Sequence, residues 1–67
     1  MSPEEMSFRN LVEWHRGDLL EVLGGAHASE VFTENHHEYL VKYGVLRRVP
    51  TVNRSLPTPE AMKVLGV

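Results

Sequence analysis

The sequence predicts a mainly α-helical domain with one small β-hairpin, residues 1–67 forming a single unit. The order is three helices, a two-stranded hairpin and a closing helix. Three observations predict it. Apolar residues recur at helical spacing in the first two-thirds of the chain. The stretch "VLRRVPTVNRSLP" changes to β-branched alternation around a turn. "TPEAMKVL" then restarts a helix with Thr, Pro and Glu in capping order.

The first helix opens at "SPEE": Ser2 as cap, Pro3 in the first helical position, Glu4 and Glu5 at the positive end of the dipole. Phe8, Leu11, Val12 and His15 carry its apolar face to about Arg16. Gly17-Asp18 interrupts it, and Asp18 caps a short helix containing Leu19, Leu20, Val22 and Leu23 that Gly24-Gly25 ends. One bent helix is the alternative reading, because an internal glycine costs only about 1 kcal/mol. Ala28, Val31, Phe32, Tyr39, Leu40 and Tyr43 form the next apolar stripe, with Asn35 and His36 in its middle and Gly44 as C-cap. Here too two readings stand: one helix from Ser29 to Tyr43, or two short helices with Thr33 capping the second. Pro50 limits the strand "VLRRV", "TVNR" turns the chain and "SLP" returns. Thr58, Pro59 and Glu60 begin the last helix, whose apolar side is Ala61, Met62, Val64 and Leu65.

A domain this small buries only about 60% of its unfolded surface. The chain has no cysteine to staple it with disulfides or thiolate metal sites. No apolar run reaches the ~20 residues of a membrane span, and the acidic start "MSPEEMSF" is unlike a signal peptide. A soluble cytoplasmic protein, without membrane contact, is the expectation. The net charge of −2 hides an asymmetry. Residues 1–41 carry eight acids against Arg9 and Arg16, a balance of −6. Residues 42–67 carry Lys42, Arg47, Arg48, Arg54 and Lys63 against Glu60, a balance of +4. Local clustering of this kind determines which surface attracts a polyanion.

The element order resembles the winged-helix superfamily, in particular small regulators of the MarR, ArsR and PadR kind. "DLLEVLGG", "EYLVKYGVLRRV" and "SLPTPEAMKVL" carry the resemblance, which covers about residues 18–66. Leu40, Gly44, Val45 and Leu46 match the segment that leads into the wing. Leu56, Thr58, Pro59 and Glu60 match the start of the closing helix. The resemblance implies three helices, a two-stranded wing and a C-terminal helix. It also implies binding of double-stranded DNA by a transcriptional regulator, paired as a homodimer.

The residues assigned to nucleic acid are Arg47, Arg48 and Arg54, with Lys42 and Asn53, around the wing, and Asn35, His36 and His37 on the preceding helix. Guanidinium groups suit phosphates. On a strand, adjacent Arg47 and Arg48 point to opposite faces. A second reading is a protein-interaction module that docks a basic partner through Glu30, Glu34 and Glu38, since acids repel phosphates. Trp14, Tyr39 and Tyr43 read as core rather than as a stacking platform. His36 and His37 with Glu34 and Glu38 resemble a metal pair, but His36 reads as a partly buried residue of a polar helix surface. No metal or cofactor is expected. No nucleophile turn or phosphate loop is present, so the expected class is not an enzyme. Apolar residues on both terminal helices predict a dimer joined through residues 3–16 and 59–67, with Trp14 at the contact.

Overall fold

A computed structural model describes residues 3–67, with side chains from Met6 onward. The Ser2 cap and the side chains of Glu4 and Glu5 lie outside the described residues. The elements are α1 (Pro3–Trp14), α2 (Arg16–Leu23), α3 (Ala28–Val31), α4 (Glu34–Lys42), β1 (Leu46–Val49), β2 (Arg54–Pro57) and α5 (Pro59–Leu65), with a 3₁₀ turn at Pro50–Val52 between the strands. The protein is therefore mainly helical, with one antiparallel two-stranded sheet. No described helix is long and apolar enough to cross a membrane.

The first break falls at His15, not at Gly17-Asp18. Hydrogen bonding runs through it: His15 N–H donates to the Leu11 and Val12 carbonyls, and Leu19 N–H donates to the His15 carbonyl at 2.9 Å. Asp18 does not cap α2 but lies in its first turn, where a carboxylate complements the helix dipole. The bend lets Val12 on α1 and Leu19 and Val22 on α2 enter one core.

Between residues 28 and 43 the chain forms two helices, and the reason is local. Thr33 takes extended backbone angles and its hydroxyl accepts the His36 N–H at 3.3 Å. At the far end Gly44 adopts φ 79°, which a side chain disfavours. Val45 N–H then reaches back to the Leu40 carbonyl at 2.9 Å, so the chain leaves α4 directly into β1.

In the hairpin Leu46 pairs with Pro57, Arg47 with Leu56, Arg48 with Ser55 and Val49 with Arg54. Asn53 closes the turn at φ 51°, a left-handed angle that asparagine tolerates well. Thr58 caps α5 by accepting the Ala61 N–H at 3.2 Å, and its hydroxyl donates to the Gly44 carbonyl at 2.6 Å. The same buried side chain thus starts α5 and holds the exit of α4.

Val12, Leu19, Val22, Phe32, Leu40, Val45, Leu46, Ala61 and Leu65 are buried in one core. Helix α5 packs against α1 within the chain, so Val12 and Leu65, expected at a dimer contact, are covered intramolecularly, as is Ala61. Arg16 strengthens that junction, donating to the Leu65 carbonyl at 3.0 Å while pairing with Glu13. Met6, Trp14 and Val67 stay exposed.

Candidate functional site

About 100° separates neighbouring side chains on a helix, so Asn35, His36 and His37 point three ways from α4. Asn35 is exposed. His36 turns toward the α1–α2 bend, its ring centroid 6.0 Å from that of His15. His37 turns toward the hairpin, where Nε2 lies 2.6 Å from Ser55 Oγ. The expectation that His36 is partly buried is corrected: it is exposed, and His37 is the half-buried member of the pair. The helix meets the core around Leu40, three residues from His37, and sheet residue Ser55 covers that flank.

The hairpin cations divide in the same way. Opposite residues of an antiparallel pair share a face, so Arg48 lies on the side of Ser55 and Arg47 on the side of Leu56. Both arginines are exposed. Arg48 reaches Glu38 of α4 at 3.4 Å, an exposed pair that solvent screens strongly. Arg54 is half-buried and donates from one terminal nitrogen to the Gly25 carbonyl at 2.7 Å and the Ala26 carbonyl at 3.0 Å. It ties β2 to the α2–α3 connection. Lys42 is exposed, its ammonium 5.8 Å from the Tyr43 ring centroid. Asn53 is exposed at the hairpin turn.

Trp14, Tyr39 and Tyr43 are not core residues. Trp14 is 84% exposed, Tyr39 47% and Tyr43 52%. The periodicity explains why: Trp14 lies about 200° around α1 from buried Val12, while Tyr39 and Tyr43 flank Leu40 on one side. With Phe8 and Leu11 these aromatics line an open groove of about 630 Å³ between α1 and α4. The two tyrosine rings lie 4.6 Å apart.

His15 sits at the bend between Phe32, 5.7 Å away and edge-on, and His36. Burial holds its imidazole below the ordinary 6.5, the neighbouring His36 charge adds to the lowering, and Asp18 opposes it. The Arg16 guanidinium, hydrogen-bonded to Glu13, holds that carboxyl below its usual value. Among the described residues no three His, Asp or Glu side chains converge as metal ligands. The His37–Ser55 pair, the tethering of Arg54 and the aromatic groove are not visible in sequence spacing, because each joins separate elements. No family model, curated protein or solved structure matches the chain.

Proposed function

We propose that the chain is a winged-helix module that binds duplex nucleic acid, with α4 as the helix presented to the groove and the β1–β2 hairpin as the wing, and that it acts as a transcriptional regulator. One observation carries this reading. The Arg48–Glu38 contact joins hairpin and helix into one exposed surface, on which Asn35, Lys42 and Arg48 lie, and Arg47 is exposed on the other face of the hairpin. A guanidinium whose partner is a solvent-exposed carboxylate exchanges readily to a phosphate, where the charge-assisted bond is bidentate. Arg54 plays a different part from Arg47 and Arg48, because its terminal nitrogen already holds two backbone carbonyls.

Anisotropy of a labelled duplex at low and moderate salt tests the reading. Binding should weaken as salt rises, and Arg47→Ala or Arg48→Ala should each lower the salt slope by about 1. Absence of binding at low salt, or binding unchanged in both variants, overturns it.

The aromatic groove favours a second reading, a protein-interaction module. Exposed Trp and Tyr are the residue types that anchor protein interfaces, and the groove is rimmed by α1 and α4 rather than by the hairpin cations. A second copy of the chain is the simplest occupant, in a homodimer that pairs through Trp14. The acidic residues Glu30, Glu34 and Glu38 are all exposed and suit a basic partner. Sedimentation equilibrium distinguishes the self-paired form: a single 7.6 kDa species at all concentrations removes it.

A further inference from the structure

A second concavity, about 380 Å³ and open to solvent, lies between the hairpin and the α2–α3 connection. Its chemistry differs from that of the remaining surface. Arg48, Arg54, His27, His37, Ser29 and Ser55 line it, and among the described residues no aspartate or glutamate does. We propose that this cleft is a phosphate seat. Naming its occupant as a backbone phosphate of a duplex rests on the nucleic-acid reading above; the seat itself does not.

The arrangement of Arg54 is the main argument. Its guanidinium is half-buried and bonds to two backbone carbonyls, and no carboxylate among the described residues pairs with it. Its Nε is enclosed without any partner. A cation withdrawn from water without a counterion attracts an anion more strongly than a surface arginine does. The two carbonyl bonds also fix the orientation of the group, so less side-chain freedom is lost when a ligand arrives.

The other walls add to this. Arg48 is held only by its exposed contact with Glu38 and can swing to a tetrahedral anion. Ser55 is buried and its hydroxyl is oriented by His37 at 2.6 Å. Ser29 is exposed at the opposite lip. The exposed Ser29 hydroxyl and the Arg48 guanidinium supply donors for phosphate oxygens, and the His37–Ser55 pair lines the cleft beside them. The same set offers a divalent cation no carboxylate and a repelling charge.

Two-dimensional ¹H–¹⁵N spectra, recorded during titration with inorganic phosphate and separately with a short duplex, test the proposal. Ser29→Glu places an acid at the lip at an exposed position that carries no packing. Asn10→Glu makes the same change of net charge on the far groove and is the control. Phosphate should shift the amides of Ser29, His37, Arg54 and Ser55 saturably, with a dissociation constant of order 1 mM. Ser29→Glu should weaken this about tenfold through like-charge repulsion, and Asn10→Glu should barely change it. No saturable shift in the cleft, or equal weakening by both variants, overturns the seat. Duplex binding that falls in Ser29→Glu and not in Asn10→Glu puts a backbone phosphate there. Phosphate binding without duplex binding keeps the seat for a free phosphate ester and removes the nucleic-acid reading. Duplex binding indifferent to Ser29→Glu, without phosphate binding, removes the seat and leaves that reading standing.

Discussion

His37 Nε2 and Ser55 Oγ lie 2.6 Å apart and join the middle of α4 to β2. Ser55 is buried, so its hydroxyl has little access to water in place of this partner. Removing the imidazole therefore strands a buried hydroxyl, and removing the hydroxyl loses the bond alone. A double-mutant cycle with His37→Ala and Ser55→Ala, read by urea denaturation, should give a coupling of about 1 kcal/mol. Additive losses would mean that the pair contributes nothing to holding the hairpin against α4.

Thr58 carries two bonds at once, one from the Ala61 N–H and one to the Gly44 carbonyl. Thr58→Val keeps the shape and deletes both, and should cost about 2 kcal/mol, the sum of a lost cap and a lost bond to a half-buried carbonyl. Thr58→Ser should recover most of that. Equal midpoints for the two variants in thermal melts would refute the double role.

The lowered pKa of His15 makes stability depend on pH in a definite direction. Folding favours the neutral ring, so its contribution is complete above the unfolded value of 6.5 and is lost as pH falls through the lower folded value. The groups facing it are His36, which strengthens the effect when charged, and Asp18, which weakens it. Between pH 7 and 5 the wild type should lose stability more steeply than His15→Gln. Parallel curves would show that the ring titrates as it does in the unfolded chain.

Trp14 is 84% exposed, and it is the only tryptophan. Its emission should match that of free indole and be quenched readily by acrylamide in dilute solution, while Trp14→Ala should change stability by less than about 0.5 kcal/mol. If the groove pairs with a second copy, the emission should shift to the blue as concentration rises. A spectrum already blue at the lowest concentration would contradict the exposed placement.

Leu40 is fully buried where α4 meets β1 and the core. Leu40→Ala should cost 2–5 kcal/mol, roughly the range for a buried leucine, which is enough to unfold much of a domain this small. Circular dichroism at about room temperature should show lost helicity. A native spectrum with an unchanged melt would mean that the core is less dependent on this helix than its burial implies.

The mainly helical class with one hairpin could be read from the sequence, while four helices and not three precede the hairpin because residues 28–42 form the two-helix alternative. The signals that set these elements act within a few residues. Thr33 and Thr58 each cap a helix by accepting an N–H three positions on, and Gly44 ends α4 by its left-handed angle, after which Val45 N–H reaches back to the Leu40 carbonyl. Pro50 and Asn53 bound the hairpin turn by their own backbone preferences. Such interactions join residues only a few positions apart, so composition and spacing reveal them. What faces what was decided by tertiary structure. His36 and His37 are neighbours in sequence, yet one meets His15 and the other Ser55. Arg54 became a tether because β2 passes Gly25 and Ala26, and Trp14 became a groove wall because α1 reached the core through Val12 instead. A side chain's partner is set by the packing of whole helices and the sheet, which minimises exposed apolar area over the entire chain, and no local window of residues contains that sum.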